Sequence, residues 1–404
     1  MRTVIQVWFV SLMLAACATD LPSSDTAAAA RFPVPTGQWR QIIPSPDLPA
    51  EVTTYASNNN LDIAMFEGSL YIAFRTAPSH FAGPDTLIHV LRTDNPEAMG
   101  PWVLERTYFT GKDLREPRFF VLGDKLYLYI SELGTELTSF NPGRVFGVTR
   151  DRAGVWSEPR DVFTDGRVVW RTKTRNGRVY MTSYTGGENE YQENEGEGTV
   201  KIYFTTTDDG WNWRGVDPER PMVLMSGGSE TDFEFDAQGN LYAVIRNEGG
   251  DESGFGSILC RADADDLGNW QCLPESDPHK YDSPYTFKYG DLIYLIARYN
   301  SLGPFDYYRD EPHFYTRFLR NEIRYSTSAK HTALYGYDTQ NMQIVPLDVF
   351  PSAGDTAFAS GVWLDDHRHL VMNYSSDPSH PDMTWIEGQF RGSQIYGAIL
   401  DFGE

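Results

Sequence analysis

The 404-residue sequence is poor in cysteine, in positive charge and in long apolar runs, and each shortage excludes a class of protein. Three cysteines are too few for a disulfide scaffold. Lysine and arginine number 34 against 56 aspartate and glutamate, which leaves a net charge of −22. Nucleic acid is therefore not expected as a partner, because phosphate binding needs a basic surface. Beyond the N-terminal leader, no segment is apolar enough to cross a membrane.

The residues that are abundant predict a large all-β protein. Hydrophobic residues make up 41% of the chain and aromatic residues 14%, which is enough to bury a core and excludes global disorder. The 35 glycines and 24 prolines, together with the scarcity of alanine- or leucine-rich stretches, favour many short strands joined by tight turns. A β-propeller of this length can be one unit rather than two or three domains.

The N-terminus resembles the leader of a bacterial lipoprotein. The apolar run from Val4 to Leu14 is too short for a stable membrane span and is typical of a signal peptide. It ends in Leu14-Ala15-Ala16-Cys17, which is similar to a lipobox, in which the cysteine becomes the lipidated first residue. The alternative is an ordinary signal peptide that is cut after small residues. We expect a signal peptide over residues 1–16, then lipidated Cys17 and a flexible tether over residues 17–45.

Lipidation would hold the protein at a bacterial membrane, which we expect to be the outer membrane, facing the periplasm or the cell surface. In that oxidising environment Cys260 and Cys272, which flank a strand end and a turn around Trp270, are expected to form a disulfide. No further cysteine or clustered histidine stands near them, so no metal site is predicted there. We expect a monomer without a cofactor.

A repeat of about 57 residues organises the remainder of the chain. Six segments pair an apolar strand, a short polar turn and a second strand rich in tyrosine, leucine and isoleucine. In five of them the turn carries a glycine, which supplies the positive φ of a tight hairpin: Gly68, Gly123, Gly177, Gly239 and Gly290. The period predicts an all-β fold, a single six-bladed β-propeller over residues 46–404. Two β-sandwich domains, the alternative, should show no fixed period.

One turn resembles a motif of a known family. Thr206-x-Asp208-x-Gly210-x-Asn212-Trp213 is similar to the Asp-box of sialidases, written Ser-x-Asp-x-Gly-x-Thr-Trp, and residues 149–156 and 261–270 are degenerate copies. Glu230, followed by the stretch 239–247, resembles the sialidase segment that carries a catalytic glutamate and one arginine of the substrate clamp. The resemblance implies a sialidase-like propeller. Asp-boxes are structural turns, so they indicate the fold better than the activity.

Other features depart from that family. The Arg-Ile-Pro motif that opens sialidase blades is absent, and so is a Gly-Tyr-Ser segment for the nucleophile. Residues 113–120 are instead similar to the Arg-Asp-Pro motif of furanosidase propellers, which place one acid on each of three inner strands. Asp62, Glu116 and Glu230 occupy comparable strand starts, although those propellers have five blades. Asp85 stands in the first-blade loop where sialidases carry their acid aspartate.

Charged residues recur at equivalent positions of the predicted blades. First-strand starts and second-strand ends lie at one mouth of the channel, because a hairpin returns the chain to where it began. We therefore predict catalytic roles for Glu230, Asp62, Glu116, Asp85, His80 and Tyr184. We predict substrate-binding roles for Arg75, Arg115, Arg171, Arg246, Arg298, Asp282 and Tyr285. The alternative is a set of structural ion pairs that closes the channel entrance.

The residue types indicate chemistry on an anionic glycan. Arginine binds carboxylate or sulfate in a bidentate manner, and paired carboxylates suit glycoside cleavage. A lyase that uses His80 or a tyrosine for proton transfer, and a propeller that only binds glycan, remain alternatives. The excess of acids favours hydrolysis. The acidic loop over residues 186–197 is expected to be solvated, with a calcium site as the alternative. The long insertion over residues 301–322 follows the fifth hairpin, and long loops at a propeller mouth often shape substrate pockets.

Membrane attachment through Cys17 can be tested by detergent partition. We expect the wild type to enter the detergent phase of Triton X-114, because the acyl chains bury many methylene groups. Cys17→Ser should move the protein to the aqueous phase, whereas Cys260→Ser should not. A Cys17→Ser protein that still partitions into detergent would contradict lipidation.

Overall fold

The structure is a computed structural model that describes residues 26–137, 139–193 and 195–403, and it confirms the prediction of a six-bladed β-propeller. The lipobox and Cys17 lie outside the described residues. Within them, no helix is long and apolar enough to cross a membrane. The inner strands of successive blades pack against one another in a closed ring around a central channel.

The chain first forms helix α1 (Thr26–Ala29) and strand β1 (Arg40–Ile43). Blade 1 contains β2 (Ser57–Phe66), β3 (Ser69–Ala77), β4 (Leu87–Thr93) and β5 (Val103–Tyr108). Blade 2 contains β6 (Asp113–Leu122), β7 (Lys125–Leu133), β8 (Pro142–Arg150) and β9 (Arg160–Phe163). Blade 3 contains β10 (Val168–Arg175), β11 (Arg178–Thr185), the 3-10 turn Gly187–Asn189, β12 (Val200–Thr207), β13 (Trp213–Gly215) and β14 (Met222–Ser226).

Blade 4 contains β15 (Gly228–Phe235), β16 (Leu241–Asn247), β17 (Ile258–Ala262) and β18 (Gln271–Cys272). Blade 5 contains β19 (Tyr285–Tyr289), β20 (Leu292–Asn300), helix α2 (Phe314–Ser326), β21 (Lys330–Asp338) and β22 (Gln343–Phe350). Blade 6 contains β23 (Thr356–Trp363), β24 (Arg368–Ser375), helix α3 (Trp385–Arg391) and β25 (Gln394–Asp401). All of the strand pairs are antiparallel, with the first strand of each blade at the channel.

The N-terminal strand completes the last blade, which corrects the predicted tether. β1 pairs with β25 from Arg40 opposite Gly397 to Ile43 opposite Ile395. Phe32 is 4% exposed and its ring lies 5.6 Å from that of Tyr294 in blade 5. The propeller therefore begins well before residue 46. The serine- and alanine-rich stretch before β1 favours a tether, and this short strand has no hairpin partner nearby in sequence that would indicate otherwise.

Hydrophobic clusters fill the spaces between neighbouring blades. Six of the seven clusters in the described residues join adjacent blades, and the one between blades 6 and 1 also includes Trp170 of blade 3, so that the core is a ring of interfaces rather than one central mass. Between blades 2 and 3, for example, Phe120 stacks on Tyr127 at 4.7 Å, and Trp213 packs edge-on against Phe120. Because each sheet has apolar residues on both faces, every blade needs two neighbours to bury them.

The short turns have the geometry that the sequence pattern requires. The five hairpin glycines lie between the first and second strands of blades 1 to 5, each with φ between 57° and 94°. In the turn that resembles an Asp-box, the carboxylate that accepts the N–H groups of Trp211 and Asn212 belongs to Asp209, while Asp208 pairs with Arg214. A disulfide joins Cys260 and Cys272 across β17 and β18.

Phe32→Ala should lower the free energy of unfolding by about 3–5 kcal/mol, because it leaves a cavity in a packed core. Val34→Ala, at a side chain that is half exposed, should change it by less than about 0.5 kcal/mol. Urea denaturation followed by tryptophan fluorescence measures both. Equal stability of the two variants would indicate that residues 26–45 are a tether and not part of the packed propeller.

Candidate active site

One mouth of the channel opens into a cleft of about 360 Å³ that receives side chains from all six blades. Strand starts, second-strand ends and the loops that follow them meet here, as the hairpin geometry predicted. The predicted residues that line the cleft are His80, Arg115, Glu116, Tyr184, Glu230, Arg246 and Arg298.

Irregularities in the inner strands direct several of these side chains into the cleft. The register shifts in β2 after Asn59, in β6 after Arg115, in β15 after Gly228 and in β23 after Ala357. Such β-bulges leave residues unpaired and re-aim their side chains. Among the unpaired residues, Asn60, Glu116 and Phe358 have φ values of 42°, 50° and 72°. Strained backbone repeated at equivalent blade positions is typical of a functional site.

Glu116 is a largely buried carboxyl group at the wall of the cleft, with 11% of its side chain exposed. Its Oε1 accepts a hydrogen bond from Asn60 Nδ2 at 3.1 Å, and its Oε2 lies 3.7 Å from Arg118 Nη2. Burial raises the pKa of Glu116 to about 7, with the charge of Arg118 opposing the rise and that of Glu230 adding to it. The group can therefore hold a proton near neutral pH.

Glu230 faces the same space from blade 4 and is held in place from both sides. Arg246 Nη1 donates to Oε1 at 2.8 Å, and the Ser283 N–H donates to Oε2 at 2.8 Å. Burial raises the pKa of Glu230, while the charge of Arg246 opposes that rise. Arg246 also contacts Glu248 and lies 3.5 Å from Asp282, so it binds three carboxylates.

A third carboxyl group enters the cleft from the loop that was expected to be solvated. Glu190 is only 4% exposed, and burial raises its pKa to about 8. The neighbouring Tyr191 donates a hydrogen bond from its hydroxyl to Glu248 at 3.0 Å, which holds this loop over blade 4. The acidic composition of residues 186–197 concealed Glu190, because nothing in the sequence separates one buried glutamate from its exposed neighbours.

His80 is part of a buried polar cluster on the opposite wall. Its Nδ1 lies 2.6 Å from Asp355 Oδ2, and Tyr374 donates a hydrogen bond to Asp355 Oδ1 at 3.1 Å. Burial lowers the pKa of His80, against the influence of Asp355. Although burial alone would raise the pKa of Asp355, hydrogen bonds from His80 and Tyr374 and the charge of Arg298 hold it below its usual value. Sequence reasoning missed Asp355 and Tyr374, because Asp355 precedes the sixth hairpin in a turn with no motif.

The arginines of the cleft are already paired with carboxylates. Arg115 contacts Asp113 at 2.6 Å, and Arg298 lies 3.4 Å from Asp282. Arg75 is fully buried, donates to Asp113 and is not part of the cleft lining. Asp282 is fully buried between Arg246 and Arg298, so it supports the wall rather than facing the cavity.

Three predicted residues belong to the other end of the channel. Asp62, Arg171 and Tyr285 line a separate cavity there. Arg171 Nη1 lies 3.8 Å from Asp62, and its Nε lies 3.0 Å from Asp232. Asp62 is the sixth residue of β2, which places it deep in the channel at about 3.3 Å per residue. The contacts of Asp62 and Arg171 are therefore those of structural ion pairs, which was the alternative to a substrate-binding role.

The prediction for Asp85 is wrong in position. Its side chain is exposed, and it is not among the residues that line the cleft. The first-blade loop instead presents His80 and Phe81, because Arg75 binds the carbonyl groups of Ser79 and Phe81. No group of three or more histidine, cysteine, aspartate or glutamate side chains suited to a metal ion occurs within the described part of the chain.

Comparison with known proteins shows the fold. No family model and no curated protein matches the chain. A Dyadobacter fermentans protein of unknown function superimposes with a TM-score of 0.59 and 14% identity over 90% of this chain and 99% of its own. The endosialidase of phage phi92 gives 0.57 and 12% over 91% and 69% of the chains. A Penicillium chrysogenum α-L-arabinanase gives 0.53 and 12% over 91% and 99%.

Glu116 should make stability depend on pH. Its pKa is raised from 4.5 to about 7 on folding, so its stabilising proton is fully bound below pH 4.5 and is lost as the pH rises through 7. The wild type should lose roughly 3 kcal/mol through this group between pH 4 and 8. Glu116→Gln should lack that loss, and Glu158→Gln, at an exposed glutamate, should retain it. Parallel pH profiles of wild type and Glu116→Gln in urea denaturation would contradict the assignment.

Proposed function

We propose that the protein is a glycoside hydrolase that cleaves an anionic glycan. The observation that carries the proposal is the pair of largely buried carboxyl groups, Glu116 and Glu230, with side-chain exposures of 11% and 13%, which enter one cleft from blades 2 and 4 on bulges of the inner strands. The solved structures of an endosialidase and an arabinanase share the fold, which supports a carbohydrate-active propeller at low sequence identity.

The surroundings of the two carboxyl groups assign them different roles. Glu116 has a pKa of about 7 and can protonate the leaving oxygen, as a general acid must at neutral pH. Glu230 receives hydrogen bonds from Arg246 and Ser283, which favour its ionised form and fix its orientation. It then acts as the base or the nucleophile. Arg246 serves Glu230 rather than the substrate, since its guanidinium already contacts three carboxylates.

Arg115 and Arg298 are the residues that we assign to the anionic group of the glycan. Both residues are part of the cleft lining. Each has a carboxylate partner behind it, which holds the planar group in a fixed direction before the substrate arrives. A fixed guanidinium loses little side-chain entropy on binding a carboxylate or sulfate.

Polysaccharide lyase activity is a second candidate, and the contact between His80 and Asp355 favours it. A histidine that is oriented by a buried carboxylate can take a proton from a sugar carbon, while an arginine neutralises the uronate carboxylate. The two reactions give different products. Hydrolysis yields a saturated new end, whereas elimination yields an unsaturated sugar that absorbs ultraviolet light.

Substitution of the two glutamates tests the hydrolase. On an anionic glycan that the wild type cleaves, Glu116→Gln and Glu230→Gln should each lower kcat by at least about 100-fold, with the fold retained. The wild-type kcat/KM should fall above pH 7, where Glu116 loses its proton, and this alkaline limb should be absent in Glu116→Gln. Reducing-end and ultraviolet assays measure both kinds of product. Arg246→Lys should lower kcat more than it changes KM.

Unchanged turnover in both glutamate variants would exclude a catalytic role for Glu116 and Glu230. Unsaturated products, together with loss of activity in His80→Ala and not in Glu230→Gln, would establish the lyase instead. Glu158→Gln is the matched control for the removal of one negative charge.

A further inference from the structure

Apolar side chains are grouped at one part of the cleft rim. Phe390 is 67% exposed, the highest value among the large hydrophobic residues of the described chain. Its ring centroid lies 5.1 Å from that of Phe81, which lines the cleft. Single exposed apolar residues are ordinary on protein surfaces, but two phenylalanine rings in contact at the edge of a polar cleft form a continuous surface.

The two rings are carried by elements with fixed positions. Phe390 lies on α3, whose first turn is closed by a capping box between Thr384 and Glu387. Gln389 and Trp385 of the same helix line the cleft. Phe81 is held by Arg75, which donates to its carbonyl group at 3.1 Å. The platform of Phe81 and Phe390 is therefore displayed by supported backbone, on a loop of blade 1 and on α3 of blade 6.

The carboxyl groups assigned to catalysis and the aromatic platform lie on different blades. Glu116 and Glu230 come from blades 2 and 4, whereas the aromatic platform is on the side of blades 1 and 6. The cavity of about 360 Å³ is near the lower end of the range for small-ligand sites. A polymeric ligand that places one unit among the charged groups must therefore continue over the rim.

We propose that Phe81 and Phe390 form a stacking subsite for a second sugar unit, so that the cleft recognises an anionic polysaccharide chain rather than a terminal monosaccharide. One face of a pyranose ring is a patch of C–H groups, which packs on an aromatic ring while the hydroxyl groups remain in water. The inference rests on the proposed function, since it takes the cleft as a glycan site. It adds that binding extends outward from the carboxylates toward α3.

Affinity gel electrophoresis tests the subsite without any need for turnover. The wild type is run in gels that contain polygalacturonate, hyaluronan or polysialic acid, and the polymer that retards it most is used for the variants. Phe390→Ala should weaken retardation by about tenfold in apparent Kd. Phe390→Trp should restore binding, because it keeps an aromatic face, whereas Phe390→Leu should not. Phe109→Ala is the matched control, since Phe109 is 60% exposed and is not among the cleft residues.

The results separate the subsite from the hydrolase. Retardation that is weakened in Phe390→Ala and restored in Phe390→Trp supports the subsite even where no product forms. Unchanged binding in Phe390→Ala overturns it, even where Glu116→Gln and Glu230→Gln abolish hydrolysis. Equal weakening in Phe109→Ala, or no retardation of the wild type by any of the three polymers, also overturns it. Because Phe390 is exposed, its replacement should leave folding intact, and circular dichroism of each variant verifies this.

Discussion

The pairing of buried charges along the channel is the constraint on which the structure depends. Six inner strands leave a space at the axis that cannot collapse, and the protein fills it with ionic groups. Asp232 is fully buried and contacts both Arg171 at 3.0 Å and Lys173 at 3.2 Å. Loss of one member of such a set would leave an unpaired charge in the interior, at a cost of about 3–5 kcal/mol. The ionic groups deep in the channel thus fix the blades.

Arg118 marks the boundary between the structural and the chemical parts of the channel. Its guanidinium lies 4.9 Å from the ring of Trp170 and 4.4 Å from that of Phe358, and its side chain has no exposure to solvent. On the side of the cavity that Asp62 lines, Asp62 lies near Arg171, and Asp232 contacts Arg171 and Lys173. On the side of the cleft, burial keeps Glu116 and Glu190 protonated close to neutral pH. One architecture therefore gives both stable ion pairs and titratable acids, according to whether each carboxyl group has a cation of its own.

The sequence predicted the fold well because the fold is periodic. Turn glycines need positive φ, and five of them recur at the hairpins, so the number of blades could be counted. The site was predicted less well, because it depends on bulges that periodicity does not reveal. In β2 the residue that reaches the cleft is Asn60. Asp62, whose charge makes it the stronger candidate by sequence, lies deeper in the channel near Arg171. The prediction for Asp85 rests on a family resemblance alone, and its side chain is exposed to solvent outside the cleft. Glu190 and Asp355 carry no local signal, since only the tertiary structure buries them.

The position of β1 has a consequence for the order of events in biosynthesis. Arg40 pairs with Gly397, so nearly the whole chain separates the two partners in sequence. The sixth blade cannot be completed until the last segment has been made, and the ring cannot close until that blade exists. Loop closure over such a span delays the final step, as for other folds of high contact order. Until then β1 has no partner strand and presents an open edge, with which neighbouring chains can pair.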